Sequence, residues 1–180
     1  MWRPVSQLLG YKIPTHLRTW LMLSGSMTHY LRVLSNNTLK VQILNQAWGR
    51  ASVSECRVLG ISPHTLVLIR ETILYAYGKP WMYGRSIFPI KSLIGKNKFL
   101  LKALDQRPLG DLLYRDPHLM RAKFEFNYYA KTTEFLQLNS FLKQRACDLW
   151  GRQSVFNFNN KKLLVTEILL ADGEKFLRTL

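Results

Sequence analysis

Two charged residues stand where the sequence offers them little water. Glu167 is the one charge in LLVTEILL, Leu163 to Leu170, and Arg70 lies in the apolar run LVLIRETILYAYG, Leu66 to Gly78. A charge stripped of its hydration is costly unless a countercharge, a hydrogen-bond network or a ligand compensates it. Arginine presents a planar fork of donors that matches a carboxylate, which the point charge of lysine cannot do. A glutamate can orient a hydroxyl or carry a proton. Together they fit the recognition and turnover of a small anion. They fit a buried salt bridge equally well, and the pattern by itself favours neither.

The elements that must position the pair read as follows. PTHLRTWLMLS has helical spacing after Thr15, and SMTHYLRVL restarts after Ser26, a good N-cap residue. LKVQILNQAW is a strand, and TLVLIRETILYAYG with WMYGRSIFPI, joined by YGKP, is a hairpin. KFLLKALDQR is helical, and PLGDLLYR starts a short helix with Pro108 in its first turn. An extended stretch from Arg121 to Tyr129 and a polar segment from Lys131 to Asp148 come next. SVFNFNN then turns at Asn159 and Asn160 into KKLLVTEILL. Strands joined by hairpins predict an α+β fold, with an antiparallel sheet of about six strands and helices on one face. By strand alternation Arg70 shares a face with Leu66, Leu68 and Leu74, and Glu71 points the other way. Glu167 shares its face with Leu163, Val165 and Leu169.

Composition narrows the chemistry. At 180 residues and 47% apolar, the chain predicts a single domain over 1–180 with a substantial core. No window approaches the roughly 20 apolar residues that cross a bilayer, so no stable membrane insertion is expected. The start, MWRPVSQLLGYKIP, lacks the pattern of a secretory signal. Cys56 and Cys147 have neither the spacing of a zinc site nor that of a disulfide framework, which points to a reduced, cytoplasmic setting. Net charge is +15, with no acidic residue before Glu55. Such a balance suits nucleic acid, an anionic membrane face or a small anionic substrate. The basic residues are spread along the chain, however, and the densest cluster, KSLIGKNKFLLK, reads as a solvated helix face. No nucleic-acid-binding signature accompanies it, so no nucleic-acid partner is expected. G-x-S-x-G, H-E-x-x-H and Walker A motifs are all absent, and His16, His29, His64 and His118 are scattered. Neither a metal nor a cofactor is expected. Trp81, Tyr83 and Trp150 read as core or hairpin packing.

Five short motifs in order carry a resemblance: WLMLSGSMT, IRETILYAYGKPWMYGRSIFP, RPLGDLL, LWGRQSVF and KKLLVTEILL. With them the chain resembles the chorismate pyruvate-lyase family, which makes 4-hydroxybenzoate for ubiquinone. The likeness runs from about Leu17 to Leu170. It departs at Ala171, where the family often has proline, and it says nothing of Lys131 to Asp148. The resemblance implies a chorismate-lyase-like fold, no cofactor, and a monomer that binds chorismate and releases 4-hydroxybenzoate and pyruvate. It also implies site residues: Met27, Arg70, Leu109 and Glu167 as substrate and product contacts, and Arg85 near them. In that scheme Arg70 holds the ring carboxylate and Glu167 faces the ring hydroxyl. Met27 and Leu109 each fall at a predicted helix N-terminus, where free N–H groups favour anions. Taken alone, each is more simply a core residue.

A second reading belongs to another class. The same fold resembles the effector-binding domains of bacterial transcription regulators, which bind a small ligand without turning it over. That reading expects a DNA-binding module ahead of the domain, and about sixteen residues precede the first motif. A catalytically dead binding module of the same fold stays open.

Overall fold

Two tight turns set the register of the sheet. Tyr77 and Gly78 have φ of 50° and 73°, and Asn159 and Asn160 have φ of 50° and 58°. Consecutive residues in the left-handed region make the mirror-image turn whose twist matches that of paired strands, and glycine and asparagine tolerate it best. The first turn joins strands β3 (Leu66–Ala76) and β4 (Lys79–Pro89), and the second joins β7 (Leu149–Phe158) and β8 (Lys161–Leu169).

These hairpins lie side by side in a computed structural model that describes residues 2–7, 13–104, 108–117, 119–129, 142 and 148–180. With β1 (Arg3–Pro4), β2 (Lys40–Arg50), β5 (Met120–Arg121) and β6 (Glu125–Tyr129) they form one eight-stranded antiparallel sheet. Its order is β1-β6-β7-β8-β4-β3-β2, with β5 pairing alongside on β7. Among the described residues six strands have five residues or more, as the alternation predicts. The other two are dipeptide pairings too short to leave a pattern. Most of the polar segment 131–148 lies outside the described residues, as do Cys147, His118 and the end of KFLLKALDQR at 105–107.

Among the described residues five helices cover the face that carries Arg70. They are α1 (Thr15–Met22), α2 (Met27–Leu34), α4 (Phe99–Ala103), α5 (Leu109–Leu113) and α6 (Ala171–Leu177). Two apolar clusters hold them there. One joins Leu17, Trp20, Leu31 and Leu177 to Leu74, Met82 and Phe126. The other joins Leu100, Leu104 and Leu112 to Leu68, Phe88 and Phe156. Each such large side chain contributes about 1.5–3 kcal/mol on burial. Two short helices extend the predicted arrangement. On the opposite face α3 (Val53–Leu59) sets Cys56 and Leu59 against Val67, Ile87 and Leu164. Its start is a capping box: Ser52 Oγ accepts the Glu55 N–H, and the Glu55 carboxylate accepts the Ser52 N–H. The other is α6, where an added Cβ at Gly173 would stand 2.4 Å from the Trp81 carbonyl oxygen. Among the described residues no helix is long and apolar enough to cross a membrane.

Candidate active site

Register across the sheet lines the Arg70 face with rows of side chains. One row runs Arg152, Glu167, Gly84, Thr72, and the next runs Ser154, Val165, Ser86, Arg70, Gln46. Arg70 and Glu167 are therefore two strands and one row apart. Strand spacing of about 4.8 Å and a rise of about 3.3 Å per residue put their Cα atoms roughly 12 Å apart. Between them lies Gly84, whose missing side chain leaves the floor low; an added Cβ would come 3.0 Å from Thr72 Oγ1.

Above this floor, between the two apolar clusters, opens a cavity of about 670 Å³, solvent at its mouth included. Met27 and Leu109 line it as the first residues of α2 and α5. The N–H groups of a first helical turn have no partner within the helix. The two helix starts meet at Gly110, where a Cβ would stand 2.7 Å from Ser26 Oγ and 2.9 Å from Thr28 Oγ1. Arg32 on α2 grips the Asp111 carboxylate of α5 with bonds of 2.7 and 3.3 Å.

The countercharge of Glu167 is Arg152, not Arg70. Arg152 is 1% exposed, and its Nε donates to Glu167 Oε2 at 2.6 Å. Its Nη1 donates to the carbonyls of Trp20 at 3.0 Å, Leu21 at 3.3 Å and Leu23 at 2.8 Å. These belong to the C-terminal end of α1, where carbonyls lack helical partners and a cation is favoured. The pattern SVFNFNN predicts a strand from Ser154, whereas β7 begins at Leu149 and so carries Arg152 into register with Glu167. The signal was present in LWGRQSVF, an arginine alternating onto the same face as Phe156 and Phe158. Arg70 has a neutral partner in the Gln46 side chain, to which its Nε donates at 3.1 Å.

A third arginine lines the cavity, and sequence reasoning missed it too. Arg121 Nη1 donates to the Tyr114 hydroxyl at 2.7 Å, and its Nη2 donates to the Ser24 and Leu23 carbonyls. Its guanidinium lies over Phe124, 4.2 Å from the ring centre. Tyr114 in turn donates towards the Gly25 carbonyl at 3.0 Å. Burial pushes the Tyr114 phenol up, against the pull of Arg121. Burial draws Arg121 below the usual guanidinium range.

Over residues 1–177 the chain matches the family model of chorismate lyase. It belongs to the chorismate lyase family. It is 34% identical over 170 residues to a probable chorismate pyruvate-lyase of Pseudomonas putida, covering 90% of each chain. It is 28% identical over 167 residues to a probable chorismate pyruvate-lyase of Coxiella burnetii, covering 93% of this chain and 89% of that one. Among solved structures it is similar to PhnF of Mycobacterium smegmatis. There the TM-score is 0.60 at 13% identity, covering 84% of this chain and 66% of that one. A GntR-family regulator of Bacillus cereus gives a TM-score of 0.56 at 12% identity, covering 75% and 93%. At these identities the likeness speaks for the fold alone.

Of the five residues that the chorismate lyase resemblance singles out, four meet in the cavity. Arg85 does not; it lies on the opposite face. Continued straight from the Tyr77–Gly78 turn, the hairpin register would pair Arg70 with Arg85. A bulge intervenes: Tyr75 pairs with Pro80 but Leu74 with Met82, so Trp81 is the extra residue. The shift by one turns every later β4 side chain over. Arg70 then meets Ser86, and Arg85 meets Glu71. Arg85 donates to Glu55 at 2.7 and 3.3 Å and to Glu71 at 3.1 Å, and Tyr83 donates a short hydrogen bond to the same Glu71 oxygen. These groups line a second cavity below the sheet. Among the described residues no group of three or more His, Cys, Asp or Glu is placed to hold a metal.

Proposed function

We propose that the chain removes pyruvate from chorismate and leaves 4-hydroxybenzoate, the aromatic ring precursor of ubiquinone. The observation that carries this is the placement of Arg70 and Glu167 on one cavity floor, two strands apart, with Gly84 between them. A flat six-membered ring with a carboxylate at one end and a hydroxyl at the other fits that span. Arg70 binds the ring carboxylate, and Glu167 faces C4 and its hydroxyl.

The reaction needs one proton moved and one bond broken. The ether bond from C3 to oxygen breaks with its electron pair on oxygen. The C4–H pair becomes the new C3–C4 double bond, and the ring is aromatic. The C4 proton ends on the enolpyruvyl methylene carbon, giving pyruvate. Glu167 orients the C4 hydroxyl or carries that proton, while Arg152 holds its carboxylate in place. Met27, Leu109 and Phe124 exclude water, which strengthens each charge contact within. The same reading takes the chain as one domain over residues 1–180, a monomer working in the cytoplasm. Sedimentation and cell fractionation check those two points.

The test is direct. Purified protein mixed with chorismate and EDTA releases 4-hydroxybenzoate and pyruvate in equal amounts, followed by absorbance and by a coupled pyruvate assay. A folded sample that binds 4-hydroxybenzoate and yields no product would instead make this chain a ligand-binding module of the same fold.

A further inference from the structure

Among the described residues the cavity's lining has more guanidinium groups than carboxylates. Its described lining holds three guanidinium groups, Arg70, Arg121 and Arg152, and one carboxylate, Glu167. Arg152 and Glu167 neutralise one another at 2.6 Å. The other two arginines stand at opposite ends. Arg70 is on β3, while Arg121 is on β5, which pairs with β7 beyond β4 and β8. A surplus of partly desolvated cations costs free energy until an anion arrives. Arginine side chains at both ends, with the Arg152–Glu167 pair between them, match a ligand with a carboxylate at each end.

Resting on the function proposed above, we propose that Arg121 receives the second carboxylate of the substrate, the one on the enolpyruvyl group. With the ring carboxylate on Arg70 and C4 facing Glu167, C3 is the neighbour of C4. The enolpyruvyl ether therefore projects at the Glu167 end of the cavity. Arg152 is engaged there already, with Nε on Glu167 and Nη1 on three carbonyls. Arg121 is differently placed. Among the described residues no carboxylate pairs with it, and its bonds to Tyr114, Ser24 and Leu23 use Nη1 and Nη2. Five N–H groups in a fixed fork leave Nε–H and a further N–H for a ligand. The rings of Phe124 and Phe156, 4.2 and 5.6 Å from the guanidinium carbon, and the Tyr114 hydroxyl fix its pose. As the C3–O bond breaks, charge builds on the departing enolpyruvate, and a cation on its carboxylate is favoured at that moment.

Substrate and product separate this role from a structural one, because 4-hydroxybenzoate has lost the second carboxylate. In Arg121→Met the KM for chorismate should rise roughly 10- to 100-fold, the worth of charge-assisted hydrogen bonds, and the Kd of 4-hydroxybenzoate should stay within about threefold. Arg70→Ala should weaken both ligands. Arg121→Gln, which keeps donors for Tyr114 and Ser24, serves if the methionine variant does not fold. Equal weakening of both ligands, or of neither, overturns the proposal while leaving wild-type turnover intact. If wild-type protein binds chorismate without turning it over, the function fails alone, and the same ratio of affinities still decides on Arg121. Binding of neither ligand by folded wild type overturns both.

Discussion

One guanidinium joins the end of a helix to the carboxylate of the candidate site. Arg152 sets its Nε 2.6 Å from Glu167 Oε2, and its Nη1 2.8–3.3 Å from the carbonyls of Trp20, Leu21 and Leu23. The electrostatics of the site and the docking of α1 onto the sheet thus depend on the same buried side chain.

Removing it should be expensive. Arg152→Met leaves Glu167 without its countercharge and takes a charged donor from the carbonyls of Trp20, Leu21 and Leu23. Breaking such a pair from one side typically costs about 3–5 kcal/mol. Urea denaturation should show that loss, with Arg152→Lys recovering only part of it. A methionine variant as stable as wild type would show that the pair does not hold α1.

Glu167→Gln separates chemistry from support. The amide oxygen still accepts from Arg152, but the buried guanidinium loses its countercharge, so the melting temperature should fall while the fold survives. The rate should fall by roughly 10² to 10⁴ if the carboxylate carries the proton, and less if it only orients the hydroxyl. An unchanged rate with a large drop in Tm would make Glu167 half of a core salt bridge.

Arg70 is tested through the product. Arg70→Ala should cost about 2–5 kcal/mol in 4-hydroxybenzoate affinity, as for truncating one side of a charged contact. Arg70→Lys should restore only a fraction, because an ammonium cannot make the planar two-bond contact. Calorimetric titration reads both. Glu167 keeps Arg152 in either variant, so its own pairing is not at stake.

Gly84→Ala probes the floor. The new methyl stands 3.0 Å from Thr72 Oγ1 and lifts the surface on which the ring would lie. A displacement of this order should lower kcat/KM by roughly 10- to 100-fold while the fold survives. Full activity in this variant would place the ring elsewhere.

Acid should act through the other face. Burial alone would raise Glu55 and Glu71. Hydrogen bonds from Arg85 and Ser52 at Glu55, and from Tyr83, Asn45 and Arg85 at Glu71, outweigh it and hold both below the usual carboxylate value of 4.5. A depressed folded-state pKa stabilises the protein above that value and loses its effect as pH falls through the lower one. Stability should therefore decline below about pH 4.5, and Arg85→Met should make the decline shallower. The same variant should leave the Kd of 4-hydroxybenzoate within about threefold. A marked loss of affinity would return Arg85 to the site despite its place across the sheet.

What could be read from the sequence follows from what is local. Both hairpin turns announce themselves in Tyr-Gly and Asn-Asn, and alternation puts Arg70 with Leu68 and Leu74 and Glu167 with Leu163 and Leu169, each on an apolar face. Helix α3 left its signal in Ser52 and Glu55, three residues apart, without the long apolar stripe that draws attention to a helix. Arg152 and Arg121 stayed hidden because their importance lies in partners more than a hundred residues away in part, such as the carbonyls of Trp20 and Leu21 for Arg152. Pairwise meetings of that kind have no periodicity to betray them.

The bulge at Trp81 gives this protein an unusual kind of vulnerability. Straight pairing of the full-length strand, with no residue looped out at Trp81, would set Arg70 opposite Arg85 and exchange the two populations of β4. Gly84 and Ser86 would turn out of the cavity, and Tyr83 and Arg85 would turn in. No functional side chain need be altered for that to happen. Specificity here is kept by a count as much as by chemistry, and in β4 a slip of one position is a heavier change than most substitutions.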